Sequence, residues 1–190
     1  MSSHHIVREK QEPALLVLGI DSFPEELLGQ LLEWSPTVIT TPHTAEKLDA
    51  SGIKVDWMIT DGDHGIIQSD VKVMSAGDAT MAAAAFNYLI ANHYPAVNVV
   101  TDELDLNVFL QYAGKINLVI FHDQQKIYAV NSGFSKWKPA NEIIKLLTEP
   151  DGLKYTGLER IGEGEYKTTG DGFFTLQFKD AFLFVAEAVD

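Results

Sequence analysis

Cysteine is absent from the 190 residues, which excludes disulfide cross-links and thiolate metal sites and agrees with a reducing compartment. Missing too is any apolar run long enough to span a bilayer, and the opening MSSHHIVREKQEP is too polar for a signal peptide. A cytoplasmic protein without a membrane partner is expected. Basic residues are scarce: 14 Lys and Arg stand against 27 Asp and Glu, and the formal net charge of −13 would repel a nucleic-acid backbone or an anionic membrane surface. A nucleotide fits such a chain where a metal ion screens its phosphates locally. There is no internal repeat and no low-complexity segment. What remains is an ordinary globular composition, 46% hydrophobic and 22% charged, which excludes a wholly disordered chain. The length suffices for one sizeable core, with or without a small second domain.

Residues 1–13 are expected to form a flexible arm. From residue 14 onward apolar runs and helical patterns alternate. Strands are expected at 14–20, 37–41, 57–59, 71–74, 97–101 and 116–121, and helices at 24–34, 44–50, 81–92 and 102–112. Alternation of this kind predicts an α/β domain over residues 14–124, a parallel six-stranded sheet with helices on both faces. The texture changes at Gln125. Short alternating runs broken by Gly162, Gly164, Gly170 and Gly172 predict a small antiparallel β-domain over residues 125–190, ending in a hairpin about Lys179 and Asp180. Residues 141–147 alone read as helical there. With little room for a core of its own, this domain would leave Phe173, Phe174, Phe178, Phe182 and Phe184 to be covered, which points to a homodimer.

The stretch VDWMITDGDHG, residues 55–65, carries the clearest chemistry. The apolar strand Trp57-Met58-Ile59 ends abruptly in Asp61-Gly62-Asp63, and in open α/β sheets that end faces the ligand crevice. Two carboxylates one residue apart on a Gly-containing loop are hard oxygen ligands that suit Mg²⁺ better than zinc. The same residues also suit a plain tight turn. Asp21, Asp78 and Asp102 are expected at the same edge of the sheet.

The order of parts resembles the thiamine pyrophosphokinase family, chiefly over the first 123 residues. The family pattern of Pro-Asp, three apolar residues and G-D-x-D-S is similar to Asp56, Trp57-Met58-Ile59 and Thr60-Asp61-Gly62-Asp63-His64. A following Asp with Thr-Asp at the start of a long helix resembles Asp78-Ala79-Thr80-Met81, with Met81 in place of the last acid. The family's R-x-D-H falls on Glu103-Leu104-Asp105-Leu106, without the Arg and His. Its D-G-G after the second strand is here Thr41-Pro42-His43. Ile59 to Asp63 and Ala76 to Ala79 also resemble, over a shorter span, the archaeal-type pterin pyrophosphokinases.

The resemblance implies a diphosphotransferase that moves a pyrophosphoryl group from ATP to the hydroxyl of thiamine or a related heterocycle. It implies Mg²⁺ on Asp61 and Asp63, catalytic roles for Asp61, Asp63 and Asp78, and nucleotide contacts from Asp21, His64, Thr80 and Asp105. A homodimer is implied as well. The departures at Met81 and Glu103 leave open a non-catalytic homologue that binds a nucleotide or a thiamine-like ligand. Trp137 offers an indole for a heterocyclic ring to stack on, or for the β-domain to pack with.

Overall fold

A computed structural model describes residues 12–62 and 70–189. The expected arm up to residue 11, and the candidates Asp63 and His64, lie outside the described residues. The chain divides into two compact units between Leu118 and Val119.

In the first unit, β1 (Ala14–Val17) pairs parallel with β2 (Val38–Thr40) on one side and β5 (Ala96–Val100) on the other. β2 pairs parallel with β3 (Trp57–Thr60), and β3 with β4 (Lys72–Ser75). The order is β5-β1-β2-β3-β4. All four residues of the central β1 are buried, because a parallel strand covered on both faces has no solvent side on which polar residues could alternate. β4 has Lys72 and Val73 exposed, as an edge strand tolerates. Asp56, just before β3, accepts a hydrogen bond from Val38 N at 2.9 Å and so ties β3 to β2.

Among the described residues three helices connect these strands and a fourth follows β5. α1 (Glu25–Leu32) carries Glu25 and Glu26 in its first turn, where they complement the helix dipole. α2 (Pro42–Ala50) starts two residues before the expected position: Pro42 takes its first turn, where a missing N–H costs nothing. α3 (Met81–Ala91) is capped by Thr80 and buries Ala85, Phe86 and Leu89. Phe86 stacks on Tyr112 at 4.4 Å between ring centroids and meets Phe109 edge-on at 6.1 Å. α4 (Leu106–Leu110) is shorter than expected, since residues 101–105 form a turn and a cap instead.

The strand expected at 116–121 is present as β6 (Asn117–His122), and it turns back into β7 (Gln125–Val130), with which it pairs antiparallel. The reason is local: His122 pairs with Gln125 across Asp123 and Gln124, both at positive φ (46° and 59°), the two-residue turn whose twist suits a hairpin.

The second unit continues with β8 (Phe134–Lys138), β9 (Ile143–Leu146), β10 (Lys154–Thr156), β11 (Leu158–Arg160), β12 (Glu165–Thr168), β13 (Gly172–Gln177) and β14 (Leu183–Ala188). Antiparallel neighbours run in the order β6-β7-β14-β9-β12-β11, and a separate three-stranded sheet runs β10-β13-β8. Three expectations are corrected here. The 141–147 segment is not a helix: β-branched Ile143 and Ile144 alternate exposed and buried along β9, which pairs with both β14 and β12. Residues around Lys179 do not close a hairpin, because β13 and β14 belong to different sheets. And the unit does have a core. Ile144, Leu146, Tyr166, Phe174, Leu176, Phe178 and Val185 form one buried cluster, and of the five phenylalanines named above only Phe173 is exposed.

Glu187 on β14 is buried and bonded to Lys136 of β8, with Lys138 Nζ 2.9 Å from its other oxygen. Burial works against its charge, but the two lysines outweigh it and hold the carboxyl below its ordinary pKa. The nearby Tyr128 hydroxyl, half-buried and facing Glu187, is pushed up by its burial and by that carboxylate.

Candidate functional site

The chain leaves β1 with Leu18 N donating to Val100 O at 2.8 Å, and Gly19 then brings bare backbone against Asp102. A Cβ on Gly19 would stand 2.3 Å from Asp102 Oδ2, so this close approach requires glycine. Asp102, two residues past the end of β5, accepts from Asp21 N (3.0 Å), Ser22 N (3.2 Å) and Ser22 Oγ (3.1 Å). Partial burial raises its pKa, and these three donors together with Lys47 more than reverse that, leaving it below the ordinary value. Lys47, from α2, is paired with Asp21.

Strands β3 and β5 end alike. Thr60 Oγ1 donates to Gly62 O (2.9 Å) and accepts from Gly62 N (3.1 Å); Thr101 Oγ1 does the same with Glu103 O (2.8 Å) and Glu103 N (3.2 Å). In both cases a buried threonine folds the chain over so that the following aspartate, Asp61 or Asp102, leaves the sheet at its C-terminal edge.

Around Asp102 lies a cavity of about 400 Å³. Leu18, Asp21, Thr80, Asp102, Glu103 and Asp105 line it, with Val108 and Phe109 as its apolar wall. Three of the expected nucleotide contacts, Asp21, Thr80 and Asp105, thus come together from segments far apart in sequence. Thr80 and Asp105 are both helix caps: Thr80 Oγ1 accepts from Ala83 N at 3.2 Å and Asp105 Oδ1 from Asn107 N at 3.0 Å. The N-terminus of the eleven-residue α3, with Ala82 in the wall, therefore opens on this cavity.

Other candidates stand elsewhere. Asp61 is exposed at the end of β3, and Asp78 is exposed in the turn before α3; neither lines the cavity. Glu103 and Asp102 do line it, and sequence reasoning gave neither a role as a contact. The legible signal for Asp102 was its place one residue beyond an apolar strand, opposite a glycine that ends another.

The lining has four carboxylates and no lysine or arginine. Among the described residues no group of three or more His, Asp or Glu side chains could hold a metal ion. The described lining supplies no cationic side chain and no metal-holding group, so a polyphosphate there would need a screening ion held by ligands from beyond the lining.

This fold, a mixed α/β unit with parallel strands followed by antiparallel sheets, is shared with solved thiamine pyrophosphokinases. Solved structures with this fold include the thiamine pyrophosphokinase from Bacillus subtilis, 15% identical with a TM-score of 0.65 over 93% of this chain and 99% of that one. A probable thiamine pyrophosphokinase from Staphylococcus saprophyticus is 14% identical, with a TM-score of 0.68 over 94% and 99% of the two chains. The yeast enzyme is 12% identical, with a TM-score of 0.65 over 96% and 88%. No family profile and no curated protein matches the sequence.

Proposed function

We propose that this chain is a divergent thiamine pyrophosphokinase-like protein that binds ATP, with Mg²⁺, in the first-unit cavity and transfers a pyrophosphoryl group to thiamine or a related heterocyclic alcohol. The observation that carries the reading is the convergence of Asp21, Thr80 and Asp105 on one cavity beyond the ends of β1 and β5, in a chain with the thiamine pyrophosphokinase fold. The substrate oxygen attacks the β-phosphorus, the bond to the α-phosphate oxygen breaks, and AMP leaves. Such transfer is mostly positioning and charge neutralisation. In this chain the backbone N–H groups at the start of α3 are the neutralising groups beside the cavity, as helix N-termini are for phosphates elsewhere. Asp61 and Asp63 are the proposed Mg²⁺ ligands, Asp78 and the two of them the proposed catalytic acids, and His64 a proposed phosphate contact.

A second reading is favoured by the lining itself. With Glu103 in the wall, Met81 at the mouth of α3 and no basic side chain, the cavity supports ligand binding without transfer. Calorimetric titration with Mg²⁺-ATP and then thiamine, paired with an assay for AMP release, separates the two. Heat with AMP formation supports the transferase, heat without AMP supports the binding homologue, and no heat with either ligand refutes both.

A homodimer belongs to the same proposal. Phe173 and Trp137 are direct cross-strand partners on β13 and β8, 67% and 52% exposed, an aromatic pair suited to burial against a second copy. Light scattering should report twice the 21.0 kDa chain mass. A monomer at micromolar concentration, or a dimer unaffected by Phe173→Asp, would refute this assignment.

A further inference from the structure

The second unit encloses a cavity of about 500 Å³ that the proposed transfer does not use. Its size lies within the range of small-molecule sites. The hairpin β11-β12 builds one wall: Ile161 N donates to Glu165 O at 2.9 Å, and Arg160 Nε to Gly162 O at 3.1 Å, which leaves the outer nitrogens of the guanidinium unengaged. Gly164, at φ +66°, donates nothing in side-chain bulk, and a Cβ there would stand 2.7 Å from Leu146 O, so the wall closes only with glycine.

The lining is graded from apolar to charged. Leu146, Pro150 and Tyr166 are buried and form the floor, with Leu153 half-buried beside them. Tyr155 meets Tyr166 edge-to-face at 5.0 Å between centroids and keeps 38% of its surface open. Arg160, Glu149 and Glu163 stand exposed at the rim. Neighbouring charges are already matched, Lys145 with Glu165 and Lys179 with Asp151, whereas among the described residues no ion pair engages Arg160, Glu149 or Glu163. Burial raises the pKa of Tyr166, Arg160 opposes this, and Tyr155 and Glu149 add to it, so the phenol stays a hydrogen-bond donor at neutral pH.

A plain amine in this cavity would meet an unpaired guanidinium, and a plain carboxylate would meet two unpaired glutamates. A molecule carrying both charges satisfies both sides. We propose that the cavity binds a small zwitterion with an apolar side chain, of the α-amino acid class, its carboxylate on Arg160, its ammonium on Glu149 and Glu163, and its side chain against Tyr155, Tyr166 and Leu153. The guanidinium fork matches a carboxylate in plane, and the open tyrosine ring offers an apolar surface next to the charged rim.

The test is an amide NMR titration of the full chain with L-phenylalanine and L-leucine, and with phenethylamine and 3-phenylpropanoate as half-ligands. Saturable shifts at Tyr155, Gly162 and Gly164 are expected with an amino acid, and at least tenfold weaker binding with each half-ligand. Arg160→Gln should remove the advantage of phenylalanine over phenethylamine, and the Glu149→Gln, Glu163→Gln pair its advantage over phenylpropanoate. All three residues are exposed, so the variants should keep the wild-type spectrum elsewhere. Silence with both amino acids, half-ligands that bind as well as the zwitterion, or preferences unchanged by the variants would each overturn the proposal.

Discussion

Replacing Asp102 by alanine should detach the loop that forms one side of the first-unit cavity. Its carboxylate accepts three hydrogen bonds, from Asp21 N, Ser22 N and Ser22 Oγ, which alanine cannot accept. A bond to a charged acceptor contributes up to about 3 kcal/mol, but these are solvent-exposed, so less than about 1 kcal/mol each is the fitting figure. The total is roughly 2 kcal/mol, or a fall of about 4–8 °C in melting temperature for a chain of this size. Asp102→Asn keeps one acceptor oxygen and should lose about half as much. Because the folded pKa is depressed, the carboxylate's contribution is fully present above its unfolded value, about 4, and is lost as pH falls through the folded value. The gap between wild type and Asp102→Ala should therefore narrow in acid. Gly19→Ala provides the steric control: its Cβ would collide with the same carboxylate, so the two substitutions should be non-additive in a double-mutant cycle. Thermal unfolding followed by circular dichroism measures all of this. Simple additivity, or an unchanged melting temperature in Asp102→Ala at pH 7, would refute the anchoring role.

Glu187→Gln should cost about 3 kcal/mol, since it leaves Lys136 and Lys138 close together without the buried carboxylate between them; denaturant unfolding should show the difference shrinking as pH falls through the depressed pKa. Ile144→Ala should cost roughly 3 kcal/mol by opening the centre of the second-unit core, and a loss below about 1 kcal/mol would contradict the packing of β9. Asp61→Asn should abolish Mg²⁺-dependent nucleotide binding, seen by calorimetry, and leave the melting temperature unchanged; a lower melting temperature with unchanged affinity would make the loop only a turn.

Local pattern alone determined much of this protein. The apolar runs expected as strands at residues 14–20 and 97–101 had to be covered on both faces, which predicts parallel strands, and the helix expected at 81–92 is α3, whereas its cap, Thr80, emerged only in the structure. A hairpin at Asp123 and Gln124 was not legible, because neither residue is the glycine that usually marks positive φ, and the antiparallel return of β7 followed from that turn. The periodicity of residues 141–147 is too short to separate helix from strand, and only pairing with β14 and β12 decided it.

The site divides in the same way. Aspartates at strand ends could be listed from sequence, since a carboxylate after an apolar run leaves the sheet where ligands bind. Which of them share a cavity depends on strand order. β1 and β5 are neighbours although some eighty residues separate them, so Asp21 and Asp102 meet, while Asp61 and Asp78, on the far side of β2 and beyond, stay outside the cavity lining. Spacing along the chain carries no information about that order, because the crossover connections that set it depend on how helices pack across the sheet. The second cavity is a case of the same limit: Arg160, Glu149 and Glu163 look like ordinary surface charges in the sequence, and only the folding of β9, β11 and β12 around Tyr166 gives them a common rim.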